Sequence, residues 1–268
     1  DSFYGYDVLA DAAANSRIAI SGKILQRHGF EPILKNLARL GLYGGMRAAD
    51  GVKTPKENSK RHDLTYDAMA AGNFVDGVDL MTLTGAYARI ASPLNAANYT
   101  VQKITDRKGN VLYEHEKTTS NKQPDEDILL RYALSRSPLA KNLRGAGYDT
   151  FALSGTNKHK ADYFVLGATP KYTYGLWMGS ELQKLSLAGD KGLTESFYAS
   201  LLAIPGDTNQ WELPAHFEMH EVSDKTGLLA TRYARRARST VTLPFLPKTA
   251  PTEETENYTR KLICSVSG

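Results

Sequence analysis

The chain has 268 residues, of which 41% are hydrophobic and 23% charged, and its formal net charge is +4. That length can bury a real core, and the composition excludes global disorder. The charge is too mild to demand nucleic acid, although it tolerates an anionic polymer. A single cysteine, Cys264, excludes an internal disulfide framework and a CxxC zinc site. No apolar run approaches the roughly 18 residues of a membrane span. No signal peptide is visible, and the opening Asp1-Ser2-Phe3-Tyr4-Gly5 reads as a start inside a larger protein or a processed product.

The Ala-rich stretch from Val8 to Leu25, broken at Asn15-Ser16-Arg17, predicts two short helices meeting near Ser16. Ile33, Leu34, Leu37 and Leu40 share a helical face between Glu31 and Leu40, with Pro32 in the first turn and Gly41 at the C-terminal cap. Tyr43 to Arg61 is rich in Gly, Lys and Asn and reads as a loop. Leu80, Leu83, Tyr87 and Ile90 recur at helical spacing behind Asp79, a fitting N-cap.

The period then changes. Tyr99–Thr105 and Val111–Glu116 flank Arg107-Lys108-Gly109-Asn110, a hairpin signal. Asp127 to Leu134 reads as a helix. Three strands are expected at Thr150–Thr156, Tyr163–Ala168 and Tyr172–Met178, the last two joined by the turn Thr169-Pro170-Lys171. Glu195 to Ala203 reads as a helix stopped by Pro205-Gly206. Beyond Trp211 come Pro- and charge-rich sequence, a hairpin-like Asp224-Lys225-Thr226-Gly227 and a basic tail. Helices first and antiparallel strands later predict an α+β architecture.

No P-loop, Rossmann fingerprint, HExxH or EF-hand loop is present. His216 and His220 have i, i+4 spacing, but Pro214 precedes them, and Phe217, Met219 and Glu221 alternate as in a strand, so surface histidines are expected there rather than a metal site. The segment Leu153-Ser154-Gly155-Thr156 places a glycine between two hydroxyls on a strand. Such a glycine lets a ligand backbone approach closely, and a hydroxyl such as that of Thr156 can bind a carboxylate. A plain strand with a glycine bulge is the competing reading.

Taken together, these stretches resemble penicillin-binding transpeptidases of the class A, glycosyltransferase-linked type. In that family a Lys-Thr-Gly-Thr edge strand is followed by "WFVGYTP" and "GVWVG" strands. Here Leu153-Ser154-Gly155-Thr156 is followed at matching offsets by Tyr163-Phe164-Val165-Leu166-Gly167-Ala168-Thr169-Pro170 and Gly175-Leu176-Trp177-Met178-Gly179. Ala86-Tyr87-Ala88-Arg89-Ile90-Ala91 resembles the family's "AYA-x-x-A" helix. Lys103-Ile104-Thr105-Asp106 and Gly109-Asn110-Val111-Leu112-Tyr113-Glu114 resemble its hairpin. Asp224, with Thr226-Gly227-Leu228-Leu229-Ala230-Thr231, resembles "D-x-x-T-G-L-L-A-T" near its end, and Lys248-Thr249-Ala250-Pro251-Thr252-Glu253 stands where "G-T-E-P-T-E" is expected.

The resemblance implies an antiparallel sheet flanked by helices, with the N-terminal part of the domain outside this chain. It implies residues 1–205 as an incomplete transpeptidase-like domain and 206–268 as the C-terminal strand and tail of the same domain.

The family's chemistry is altered. No serine of the chain has a lysine three residues later, so the acylated Ser-x-x-Lys is absent. The matching Ser-x-Asn is Ser16-Arg17-Ile18: Ser16 keeps the hydroxyl, whereas Ile18 replaces the amide. Leu153 replaces the lysine of the third motif, losing a charge-assisted hydrogen bond of about 1.5–3 kcal/mol. Ser16 is therefore a remnant catalytic position, Ser154, Gly155 and Thr156 are candidate substrate-binding residues, and Ile18 and Leu153 are the degenerate positions.

By resemblance two functions are open. One is a non-catalytic scaffold or peptide-binding module of the cell envelope. The other is part of a peptidoglycan D,D-transpeptidase whose nucleophile lies upstream or in another chain. The implied partners are a stem peptide or an envelope protein, with a companion chain carrying the rest of the domain, membrane contact through an upstream anchor, and no nucleic acid. The implied location is extracytoplasmic, and no cofactor or metal is expected. An unrelated hydrolase site using Ser154, His159 and Asp162 is a third reading. The cluster Arg232, Arg235, Arg236 and Arg238 around Tyr233 reads as a solvated face or as a contact for anionic lipid or polymer.

Overall fold

The computed structural model describes residues 8–44, 51–52, 54, 62–92, 98–115, 123–143, 149–157, 160–179, 192, 195–196, 198–200 and 209–255. The chain divides into two compact units, Ala13–Trp211 and Asp1–Ala12 together with Glu212–Gly268.

The larger unit begins with helices. Helix α1 (Leu9–Ala14), which opens in the other unit, is followed by α2 (Ile18–His28). They meet at Ser16, whose φ of +51° makes the bend where the sequence predicts it. Helix α3 (Glu31–Arg39) starts with proline in its first turn. Gly41, at φ +78°, then reverses the chain, and an added Cβ there would lie 3.1 Å from the Arg89 guanidinium. Of the predicted loop from Tyr43 to Arg61, the described part shows Tyr43 bridging Val52, and most of the rest lies outside the described residues.

Helix α4 (Tyr66–Ala71), capped by the Thr65 hydroxyl, packs on α2 where Gly22 faces Ala70. Helix α5 (Leu80–Ala91) has the expected cap: the Asp79 carboxylate accepts from Thr82 N at 2.9 Å and from Thr82 Oγ1 at 2.7 Å.

The predicted hairpin is β1 (Lys103–Thr105) and β2 (Val111–Glu114), antiparallel, with Asp106 accepting from the Lys108 and Asn110 amides in the turn. Helices α6 (Asp125–Leu134) and α7 (Pro138–Leu143) follow. Periodicity alone missed α7 because only six residues form it. Ser137 caps it, accepting from Ala140 N and donating to the Ala152 carbonyl, which ties the helix to the next strand.

The three expected strands are β3 (Phe151–Thr156), β4 (Asp162–Ala168) and β5 (Thr173–Gly179), antiparallel in the order β3-β4-β5. The central strand β4 is buried on both faces, and its Gly167 is obligatory: an added Cβ would lie 2.2 Å from the Phe151 carbonyl and 2.6 Å from the Tyr198 hydroxyl.

Alternation along β3 feeds two cores. Phe151 and Leu153 pack with Leu40, Leu42, Ala86, Ile90 and Leu134 from the helices on one face. Ala152 packs with Leu139, Leu143, Val165 and Tyr198 on the other. The predicted helix at 195–203 is helical at Glu195, Ser196 and 198–200, and its proposed stop at Pro205-Gly206 lies outside the described residues.

A paired charge fastens α3 to α6. Both Arg39 terminal nitrogens donate to the Asp127 carboxylate at 2.6 Å, and Asp127 is 2% exposed. This bond to Asp127 holds the Arg39 guanidinium's pKa above its ordinary value. Arg131, one helical turn on, donates to the Ala91 carbonyl and Gln123 and lies 4.8 Å from the Trp211 ring centre; burial pulls its pKa down to about 10.

In the smaller unit, β6 (Glu218–Ser223) pairs antiparallel with β7 (Thr240–Phe245), and α8 (Arg232–Arg236) lies between them in sequence. The expected turn at Asp224-Lys225-Thr226-Gly227 is present: Gly227 has φ +73° and its amide bonds the Ser223 carbonyl. Strand β7 lies within sequence that reads as Pro-rich and basic, and its Val241 and Leu243 are buried at period two.

Candidate functional site

Strand β3 is the edge of its sheet among the described residues, with β4 on one side only. An edge strand leaves backbone donors and acceptors for a further strand. Among the described residues nothing lies within 4 Å of where a Cβ on Gly155 would stand, so the backbone there is open to close approach. Thr156 is exposed, and its hydroxyl donates weakly, at 3.3 Å, to the Asn157 carbonyl.

Ser154 is engaged otherwise. Following Ala152 by two residues, it lies on the face that carries Tyr198, and its Oγ donates to Glu195 Oε1 at 2.7 Å. Nothing in the sequence singled out Glu195 beyond the start of a helix. Its partner is 41 residues away, and only the return of that helix over β3 brings them together. Ser154 thus donates its hydroxyl hydrogen bond to a carboxylate of the same chain.

Leu153, on the opposite face, packs half-buried against the helical core. A lysine there would need to carry its stem out of that contact before its ammonium reached water.

Ser16 and Ile18 sit away from this arrangement in the hydrogen-bond pattern. Ser16 is exposed in the α1–α2 turn, and its hydroxyl has no partner among the described residues. Ile18 opens α2 and is 56% exposed. The structure therefore brings Ser154, Gly155 and Thr156 together through one strand, and among the described residues no hydrogen bond joins them to Ser16.

Asp162 accepts from Asn157 Nδ2 and, at 3.1 Å, from Trp177 Nε1, so its carboxylate closes the β3–β4 connection and steadies the end of β5. Of the alternative set Ser154, His159 and Asp162, His159 lies outside the described residues, and Ser154 and Asp162 each have the partners given above.

His216 precedes β6 and packs against Phe217, whereas His220 lies within β6 beside Glu218 and Phe245. Among the described residues no group of three or more His, Cys, Asp or Glu is placed to hold a metal ion. No helix among them is long and apolar enough to cross a membrane.

No protein-family model matches the chain. Among curated proteins, it is 26% identical over 159 residues to penicillin-binding protein 4 of Bacillus subtilis, covering 56% of this chain and 24% of that protein. It is 23% identical over 186 residues to penicillin-binding protein 1A of Clostridium tetani, covering 67% of this chain and 22% of that one. The chain thus matches about a quarter or less of the length of these relatives. Among solved structures, penicillin-binding protein 1A from Haemophilus influenzae superposes with a TM-score of 0.69 at 15% identity, over 92% of this chain and 41% of that one. The chain carries a penicillin-binding transpeptidase-like α+β fold, and it spans only part of the length of the proteins that share it.

Proposed function

We propose that the chain is a non-catalytic, extracytoplasmic module of the bacterial cell envelope, keeping the transpeptidase-like sheet as a scaffold or peptide-binding surface. The observation that carries this reading is the hydrogen bond from Ser154 to Glu195 beside a core-packed Leu153. Where the resemblance calls for a lysine and a free hydroxyl around a ligand carboxylate, this chain has an apolar contact and an internal acid. The open Gly155 edge supports continued binding of an extended peptide through backbone bonds, without acyl transfer. No Ser-x-x-Lys is present to form an acyl-enzyme. Incubation with a fluorescent penicillin tests it: no covalent label is expected, and labelling at any serine overturns the reading.

The relatives' greater length favours one second reading, a fragment of an active D,D-transpeptidase whose nucleophile lies elsewhere. It requires that an upstream segment or companion chain restore labelling when added to this chain.

A further inference from the structure

Helix α8 presents arginines outward. Arg232, Arg235, Arg236 and the following Arg238 all reach solvent, while Ala234 is fully buried beneath them. Side-chain hydrogen bonds fasten the platform. The Thr231 hydroxyl caps the helix by accepting from Ala234 N, Ser239 donates to Asp224, and Thr240 donates to Glu221. Arg235 is neutralised locally, through Nε to Glu221, and this bond depresses the Glu221 pKa. Arg236 and Arg238 have no ion pair among the described residues, and Arg232 stacks on Tyr233 at 4.7 Å. Arg232 and Arg236 are four apart and share a helix face. Met219, 46% exposed, lies on the same side of β6 as Glu221, which holds Arg235.

We propose that α8 is a docking surface for an anionic lipid bilayer. Guanidinium forks suit phosphates, and a fixed helix face meets phosphates that lie in one plane. A half-exposed tyrosine and an exposed thioether beside the charges add apolar contact that a hydrophilic phosphate polymer does not reward. The proposal does not depend on what β3 binds.

Vesicle co-sedimentation of the full chain tests it, comparing pure phosphatidylcholine with phosphatidylcholine containing phosphatidylglycerol. Each arginine near an anionic surface contributes about fivefold in affinity, so R232Q/R236Q/R238Q is expected to weaken binding about 100-fold. The triple lysine variant R232K/R236K/R238K should retain most of it, and added salt should release the wild type. Equal binding to both vesicles, binding to neither, or undiminished binding by the glutamine variant overturns the proposal. So does a wild type that ignores anionic vesicles while binding soluble polyphosphate.

Discussion

Ser154 and Glu195, 41 residues apart, share a 2.7 Å hydrogen bond across the β3 face. A ligand carboxylate at the same hydroxyl would stand about 4–5 Å from Glu195, where like charges repel by about 3–4 kcal/mol at an effective dielectric of about 20. The pair ties the helical turn at Glu195 to β3. Glu195→Gln keeps an acceptor but removes the charge, and it should lower stability by about 1 kcal/mol in urea denaturation. A loss above about 3 kcal/mol would mean that Glu195 has a larger structural role than this bond.

Leu153 and Ile18 differ in environment, and their reversions should differ in cost. Leu153→Lys removes apolar packing from the core around Phe151 and should destabilise by about 1–3 kcal/mol. Ile18→Asn changes an exposed residue and should stay within about 0.5 kcal/mol. Denaturation midpoints of the two single variants provide the check, and equal costs would contradict the packing described.

Gly155→Val replaces a strand glycine at a site with open space. It should fold at least as stably as the wild type, gaining up to about 1 kcal/mol. If β3 binds an extended peptide, this variant should lose that binding with no drop in its melting temperature. Peptide binding that survives the substitution undiminished would remove β3 from the account.

Asp127 is buried and paired with Arg39. Arg39→Ala leaves a buried carboxylate uncompensated and should cost about 2–4 kcal/mol, toward the lower end because Arg39 is partly exposed. Arg39→Ala/Asp127→Asn should recover part of that loss in a double-mutant cycle.

Tyr87 stacks on Phe151, and burial pushes its phenol up to about 12. The unfolded phenol ionises near pH 10. Between about pH 10 and 12 the unfolded state therefore binds fewer protons than the folded one, and stability contributed by the neutral phenol falls as pH rises. Tyr87→Phe should flatten that part of the stability profile. An unchanged slope would show that other tyrosines produce it.

Local chemistry made much of the fold legible before the structure. The Asp79 cap, Pro32 at a helix start, the Gly109 turn and the period-two run through Tyr163 and Val165 each carry their own signal in neighbouring residues. Helix α7 and strand β7 did not, because α7 is a single capped turn and a half, and β7 contains Pro244. The candidate site was legible only in part. Ser154, Gly155 and Thr156 are contiguous, whereas Glu195 joins them through tertiary packing that no local pattern encodes. Leu153 read as a missing charge, and the structure adds that it is a core contact.

We propose that this fold has lost its acyl-transfer chemistry. Intact-mass measurement after prolonged exposure to excess penicillin tests it most directly, on the wild type and on Leu153→Lys/Ile18→Asn together. Neither protein should gain the mass of a penicilloyl group, because reverting two motifs does not create the third. A stoichiometric mass increase on the wild type, mapped to a serine, would contradict the account.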